Sequence, residues 1–524
     1  MPKLIKLENS TTKCYFFVIN ICYNSINRAI KEVIFMSMPI LQKDLISCLL
    51  CHNPTCTNAC SKGLDPGKIL RSLRFRNFVG ATESLTDACL NCAGECEDYC
   101  VIPHEVKIKS ILSKYYDKKI RHKPNYKRLS LKTDICGIPI ENPFLLSSSV
   151  VASNYNMIKR AFIAGWAGAS FKTISMFDMH EASPRYSAIK GLDGTIQSFK
   201  NIEQLSDHSV IDNIEIINKL KAEFPTKFLL ISIMGRNEAE WKYLAMRVEK
   251  AGASAIELNF SCPNMTEDYT GSDIGQVPDL VEKYTRAVTS VVKIPVIAKL
   301  TPNVMTMSEA ALAAKRGGAK GISAINTIKS ITEFDIIKNI HNHTDKNIAV
   351  GGLSGRSVMP ISLRFISELS QNNELSDMHI SGMGGIYTFE DAIMYLSLGA
   401  RSLQITTAVM EYGYRIIDDL IDGLELFLGE NNISINELDG YNKNKVVDVK
   451  DIKRDVIIYP KINRSTCVKC GRCYISCSDG GHQAIEFTSR VPTLNPKKCV
   501  GCHLCVIVCP TGSIKSSNIE INKN

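Results

Sequence analysis

The sequence predicts an α/β chain: a parallel (β/α)8 barrel with a cysteine-rich module on either side. Two observations carry that prediction. Eight short apolar runs alternate with helical periods between residues 130 and 430, and sixteen of the twenty cysteines fall into four tight groups outside that stretch. The runs are Phe144–Ser148, Gly168–Thr173, Phe228–Met234, Ala255–Ser261, Val296–Leu300, Gly321–Asn326, His379–Gly382 and Leu403–Thr407. Eight strands, each followed by a helical period, are the pattern of a closed parallel barrel. Several runs end in polar residues (Lys172, Asn259, Lys299, Asn326), and in a barrel those ends converge on the face that carries active sites.

The other elements follow in chain order. Residues 1–40 carry no motif and end near Met36-Ser37-Met38. They read either as an extension or, the favoured reading, as a stretch upstream of the true start codon. Residues 41–125 form a small helical cysteine domain. In it Gly63-Leu64-Asp65-Pro66-Gly67-Lys68 leads into an amphipathic run through Phe78, with Asp65 suited to the N-cap and Pro66 to the first helical position. The barrel occupies 126–435, a polar connector 436–460, the second cysteine module 461–517 and a tail 518–524. Hydrophobic content of 45% is ordinary for a soluble globular protein. The net charge of +9 is spread without like-charge runs, which argues against a nucleic-acid or membrane footprint. The apolar stretch from Cys14 to Cys22 is too short to span a bilayer.

The C-terminal cysteines read Cys467-x2-Cys470-x2-Cys473-x3-Cys477 and Cys499-x2-Cys502-x2-Cys505-x3-Cys509-Pro510. This is the spacing of a two-cluster ferredoxin, in which three thiolates on one loop reach three irons and the fourth cysteine ligates the other cluster. The N-terminal groups are looser: Cys48-x2-Cys51-x4-Cys56-x3-Cys60 and Cys89-x2-Cys92-x3-Cys96-x3-Cys100. By analogy, Cys48, Cys51 and Cys56 pair with Cys100, and Cys89, Cys92 and Cys96 with Cys60, giving four 4Fe-4S clusters in all. Disulfides would need an oxidising compartment, and structural zinc favours two CxxC pairs per site. Cubanes tolerate oxygen poorly, so a reducing cytoplasm is the natural home. Such a chain carries electrons.

Within the barrel, Gly351-Gly352-Leu353-Ser354-Gly355 and Gly382-Met383-Gly384-Gly385 are glycine-rich, and the last strand ends in Thr406-Thr407. Backbone amides in such loops cradle a phosphate after strands seven and eight, although plain tight turns have the same composition. One-electron carriers on both flanks favour a flavin, which bridges one- and two-electron chemistry. Cys262, in Glu257-Leu258-Asn259-Phe260-Ser261-Cys262-Pro263-Asn264, lies outside every cluster group and heads a polar loop from Met265 to Gly275. An isolated cysteine at a strand end is commonly inert core. Here a thiol with an ordinary pKa of about 8.5 holds a proton to give at neutral pH. Asn201, Asn259, Ser261, Asn326 and Thr327 supply neutral donors and acceptors, a ring better suited to an uncharged amide heterocycle than to a carboxylate.

At these residues the chain resembles the dihydropyrimidine dehydrogenases: the catalytic subunit of the bacterial NAD-dependent enzymes and the C-terminal half of the larger eukaryotic ones. The resemblance covers about 70% of the chain, from Asn142 to Thr511. It rests on Asn142-Pro143-Phe144, Ala164-Gly165-Trp166, Phe171-Lys172-Thr173, Asn201-Ile202-Glu203, Asn259-Phe260-Ser261-Cys262-Pro263, Ala298-Lys299-Leu300-Thr301-Pro302-Asn303-Val304 and Asn326-Thr327. It implies FMN held by Ser148, Lys172, Thr173, Asn201, Lys299, Gly355, Met383, Gly384, Gly385, Thr406 and Thr407. It also implies a pyrimidine held by Asn201, Asn259, Ser261, Asn326 and Thr327, with Cys262 as general acid. The N-terminal cysteine domain resembles instead the iron–sulfur domain of the partner subunit and of glutamate synthase small subunits.

Two departures stand out. No G-x-G-x-x-G follows a strand, so FAD and NAD have no dinucleotide fold here and the reductant must come from another protein. The loop Thr266–Ile274 is one residue shorter than the family's glycine-rich version, which leaves the exact pyrimidine open. The expected reaction is hydride transfer to C6 of uracil or thymine with Cys262 protonating C5. Electrons are expected to enter at the N-terminal clusters, pass to the ferredoxin clusters and reach FMN. The expected partners are a ferredoxin or an FAD- and NAD-binding flavoprotein, in a homo- or hetero-oligomer, with no nucleic acid and no membrane. Rival readings are a dihydroorotate dehydrogenase, an electron-transfer subunit without its own substrate, and a tRNA dihydrouridine synthase, which should carry a basic RNA-binding face and no ferredoxin.

Overall fold

Eight parallel strands close into a barrel: Phe144–Leu146 (β1), Gly168–Ile174 (β2), Phe228–Ile233 (β3), Ala255–Phe260 (β4), Val296–Leu300 (β5), Gly321–Ala324 (β6), His379–Met383 (β7) and Ser402–Ile405 (β8). The structure, a computed structural model, describes residues 45–522 apart from 103–104, 178–180, 193, 267–268 and 333–347. The N-terminal extension therefore lies outside the described residues. Each strand pairs with its sequence neighbours, and β8 closes on β1. All seven residues of β2 and all six of β3 and of β4 are buried, as expected when a parallel sheet is covered on both faces. The register sets Asn259 of β4 beside Lys299 of β5 at the C-terminal rim.

Local chemistry starts and stops the outer helices. Asn154, Ser209 and Asn237 each accept a backbone N–H at a helix start, and Thr388 with Asp391 forms a reciprocal capping box. Gly165, at φ 111°, ends the helix Tyr155–Ala164 in the left-handed conformation that glycine tolerates.

The eight runs read from the sequence are the eight barrel strands. An antiparallel sheet beside them was not anticipated: Ile328–Ser330, Gly351–Ser354, Ile196–Asn201 and Tyr186–Lys190, hydrogen-bonded in that order. This changes the meaning of the first glycine-rich segment, whose first four residues are a strand rather than a loop. A Cβ at Gly352 would lie 2.1 Å from Thr327 Oγ1, and one at Gly351 would lie 2.6 Å from the Asn201 carbonyl. These two glycines admit close backbone approach, and only Gly355, at φ 95°, makes the turn.

Residues 45–125 belong to the same compact unit as the barrel. The helix Pro66–Arg74 begins as expected, with Pro66 in the first turn and Asp65 accepting from Lys68 N at 2.9 Å. It stops at Arg74 rather than running through Phe78, because Arg76 turns left-handed (φ 64°) and its guanidinium pairs with Glu390 at 2.8 Å. Asn77 then caps a new helix, Phe78–Glu83. Along the barrel's helix Ile416–Asn431, Arg71 bonds Asp419 at 2.7 Å and Arg128 bonds Asp422 at 2.7 Å. Leu50 and Phe75 are buried in the barrel's own hydrophobic core.

The second compact unit contains residues 447–522 of the described chain. Its strands Val456–Ile462 and Ile514–Asn522 pair antiparallel, as do Ile485–Thr488 and Val491–Leu494. Among the described residues its apolar core cluster is Cys473, Ile485, Cys505 and Ile514, with Ala484 also buried. So small a core needs another source of stability, and metal clusters supply one. Among the described residues no helix is long and apolar enough to cross a membrane.

Candidate active site and the thiol sets

The C-terminal ends of the strands open into a cavity of about 140 Å³. It is lined by Ser148, Lys172, Thr173, Asn201, Asn259, Cys262, Lys299, Asn326, Thr327, Gly355, Met383, Gly384, Gly385, Thr406 and Thr407. Every residue expected for flavin or substrate therefore lines one space, except Ser261, which lies just behind the wall. Ser261 Oγ donates to Asn259 Oδ1 at 2.8 Å and accepts from Asn326 Nδ2 at 2.8 Å. Asn259 Nδ2 donates to Thr173 Oγ1 at 2.9 Å, so the amides are held in one orientation by their neighbours. Asn201 arrives from the antiparallel sheet and is braced by Asn264 Nδ2 at 3.3 Å. Such second contacts fix rotamers, and fixed rotamers make recognition selective.

Sequence reading missed the carboxylates. Glu203 bonds Lys172 Nζ at 2.8 Å and Arg185 Nη1 at 2.8 Å. Burial opposes its charge, but the two cations hold it below the ordinary carboxylate range. Glu257 is fully buried inside the barrel, with Oε1 3.6 Å from Lys299 Nζ. Alternation along β4 was the available signal: Glu257 and Asn259 are two apart and share the inner face, so an inward acid should have been sought beside Lys299.

The cavity fits FMN. Glycines 355, 384 and 385 all have φ near or above 74°, and a Cβ at Gly385 would come within 2.9 Å of the Gly355 carbonyl. Only bare backbone can occupy that corner, which leaves peptide groups open to a phosphate. Lys299 Nζ lies 3.4 Å from Ser148 Oγ, keeping a buried cation near the first strand end. Gln404 Nε2 is anchored on Ser323 Oγ at 3.0 Å, while its buried Oε1 has no partner among the described residues and borders the same space.

Cys262 is 6% exposed. Burial pushes its thiol up to about 11, against partial opposition from the Asn264 amide and Lys299. The following loop is tied down by Ser272 N donating to Cys262 O at 3.0 Å. Residues 267–268 of that loop lie outside the described residues.

The remaining thiols gather in sets. Cys48, Cys51, Cys56 and Cys100 line one small cavity. Burial lifts Cys89 to about 11 and Cys96 to about 12, with Cys92 and Cys60 as further neighbours of both. In the C-terminal unit, Cys477 joins Cys499, Cys502 and Cys505 around another cavity, and Cys473 neighbours Cys470 and Cys467. Among the described residues no three potential ligands converge as they would on a single ion. A cubane asks each thiolate to grip a different iron, so its sulfurs stand farther apart than around one zinc.

Residues 130–428 match the family model for dihydroorotate dehydrogenase, and residues 460–516 match a 4Fe-4S dicluster domain. The NAD-dependent dihydropyrimidine dehydrogenase subunit PreA of Escherichia coli strain K12 is 48% identical over 365 residues, 69% of this chain and 89% of the relative. The chain belongs to the PreA family. The chloroplastic dihydropyrimidine dehydrogenase (NADP(+)) of Arabidopsis thaliana is 33% identical over 327 residues, 60% of this chain and 76% of the relative. A dihydroorotate dehydrogenase of Eimeria tenella, solved with ferulenol, superposes with a TM-score of 0.51 at 17% identity. That match covers 60% of this chain and 88% of the other, and shows the shared barrel alone. Membership of the PreA family makes this barrel a flavin barrel and the chain an iron–sulfur oxidoreductase.

Proposed function

We propose that this chain reduces the 5,6 double bond of uracil or thymine, with electrons delivered by a partner protein through four 4Fe-4S clusters. The observation that carries the reading is a buried, protonated thiol on the same cavity as three amides and two neutralised lysines. Lys172 is ion-paired with Glu203, which Arg185 shares, and Lys299 lies 3.6 Å from Glu257, so both cavity lysines already have a carboxylate partner. Orotate's carboxylate would have to share a cation already paired with a carboxylate, whereas a neutral pyrimidine asks only for amide partners.

FMN held here by Ser148, Lys172, Lys299, Gly355, Gly384, Gly385 and Thr407 would supply hydride chemistry to the pyrimidine's C6. Asn201, Asn259, Asn326 and Thr327 orient the ring by its carbonyl and N–H edges, each amide preset by the contacts described above. Cys262 holds its proton well past neutral pH and gives it to C5 as negative charge develops there. Burial keeps water from competing for that proton. The electron donor is a ferredoxin or a flavoprotein that binds FAD and NAD, a reading supported by the lack of a G-x-G-x-x-G after any strand of this sequence.

The test is anaerobic. Protein reduced with dithionite and offered uracil, thymine or orotate separately should consume the first two and spare the third. Metal analysis should find one FMN and about sixteen irons, four for each cubane. The isolated chain should not oxidise NADH at a useful rate. Preferential turnover of orotate would overturn the substrate reading, and about eight irons accompanied by zinc would make the N-terminal sets zinc sites.

A further inference from the structure

The interior of a parallel barrel is ordinarily filled by branched apolar side chains. In this one Ser170, Glu257, Ser323, Ser381 and Gln404 are all buried there, and Glu257 is fully so. Glu257 stands two residues before Asn259 on β4, one layer in from the cavity wall. Its Oε1 lies 3.6 Å from Lys299 Nζ and accepts from Ser170 Oγ at 3.3 Å. Its Oε2 accepts from Gln404 Nε2 at 3.3 Å. Lys299 and Gln404 both line the cavity, and Glu257 joins them from behind.

Gln404 is held from one end only. Its Nε2 also donates to Ser323 Oγ at 3.0 Å and to Ser381 Oγ at 3.2 Å. An ionised carboxylate only accepts, so Glu257 dictates which end of the amide faces it. The carbonyl end, Oε1, is buried without a partner among the described residues. A buried ion pair is often no more stabilising than an apolar layer of the same volume, so packing alone does not account for this set.

We propose, on the reading of this cavity as a flavin site, that Glu257 is a positioning residue that sets the balance between oxidised and reduced FMN. It acts through the two side chains in front of it. Reduced FMN carries more negative charge than oxidised FMN, so an unmatched cation at the wall favours the reduced form. The Glu257 carboxylate offsets that cation, and it turns toward the cavity the negative end of the Gln404 dipole. Both effects hold the flavin's potential down. A lower potential makes reduced FMN the stronger reductant, which is the direction that pyrimidine reduction requires.

The test uses full-length, anaerobically reconstituted holoprotein and reads binding rather than turnover, with no pyrimidine present. Holoprotein with FMN either oxidised or dithionite-reduced is diluted through a range of concentrations. Free FMN is separated by ultrafiltration and measured by fluorescence after re-oxidation. The ratio of the two dissociation constants reports the shift in flavin potential. Glu257→Gln keeps the shape, removes the charge and frees Gln404 to turn. It should favour reduced FMN about tenfold more than the wild type does, which for a two-electron couple is about 30 mV more positive. Glu257→Asp keeps the charge and should return most of the wild-type ratio. Lys299→Met should move the ratio the opposite way, and the double variant should lie between the two singles. A merely structural role would weaken both forms of FMN alike. An unchanged ratio in Glu257→Gln, or one shifted toward oxidised FMN, would overturn the assignment, and so would a Glu257→Gln protein that holds neither form. Wild-type protein that holds no FMN would instead sink the reading of the cavity as a flavin site, which separates the two failures.

Discussion

The two cysteine regions use the same ligand arithmetic and opposite means of support. The N-terminal sets sit on short helical turns, such as Thr55–Asn58 and Glu95–Asp98, in a segment whose Leu50 and Phe75 complete the barrel core. The C-terminal sets have their own antiparallel strands and a four-residue apolar core in which two of the four residues are cysteines. One region borrows a large core, and the other makes a small one from its own ligands. Thiol spacing therefore predicts what a segment binds but not what holds the segment in place. That second property comes from side chains between the cysteines.

Cys262 offers the sharpest contrast with both regions, because it is a thiol kept protonated rather than committed to metal. Cys262→Ala should lose pyrimidine reduction by about 10²–10⁴-fold, the usual value of a positioned general acid. Flavin content and both cluster signals should be unchanged. Cys262→Ser should do little better, since an alcohol is a far weaker acid. With the thiol raised to about 11, the wild-type rate should fall on the alkaline side only as the pH approaches that value, and the fall should vanish in the serine variant. A near wild-type rate for Cys262→Ala would reduce Cys262 to packing.

The barrel was legible because buried parallel strands leave continuous apolar runs, and the cavity residues because polar side chains ended those runs. Three things were not legible. The antiparallel sheet of Tyr186–Lys190, Ile196–Asn201, Ile328–Ser330 and Gly351–Ser354 is built from short, half-exposed strands without strong alternation, and its glycines look like loop glycines until a partner strand is known. Glu203 and Glu257 gain meaning only when a lysine is brought beside each, by strand register in one case and by the returning sheet in the other. The attachment of the N-terminal domain depends on Arg71, Arg76 and Arg128, whose partners lie about 300 or more residues away in the sequence.

That attachment can be broken on one side of the comparison alone. Asp419 is 3% exposed and accepts from both Arg71 and Ser72 Oγ. Removing one member of a buried pair commonly costs about 3–5 kcal/mol, and the lower end applies here because Arg71 keeps Asp418 at 3.1 Å. Asp419→Ala should lower the thermal midpoint of the barrel unit and make the N-terminal cluster signals more labile to chelator. The C-terminal signals should not change. Equal loss in both regions would mean that the two are not independently supported.

The smallest expected effect concerns Glu390, which meets Arg76 where the N-terminal segment crosses the barrel helix Phe389–Ser397. Burial pushes its carboxyl from 4.5 up to about 7, with Arg76 resisting and Asp391 adding to the rise. Because the folded value lies above the unfolded one, the stability linked to this group is fully present below about 4.5 and is lost as pH rises through about 7. Glu390→Gln removes the titration but keeps the side chain's shape. Its thermal midpoint should exceed that of the wild type above pH 7, and the slope between about 4.5 and 7 should flatten. The gain should be smaller than the loss in Asp419→Ala, since ionised Glu390 still has Arg76 at 2.8 Å and a neutral amide there forgoes that charge pairing. A midpoint that fell in Glu390→Gln at alkaline pH would show the opposite balance: the ion pair with Arg76 would outweigh the burial of its charge, and the N-terminal segment would be held there by electrostatics rather than by the shared core.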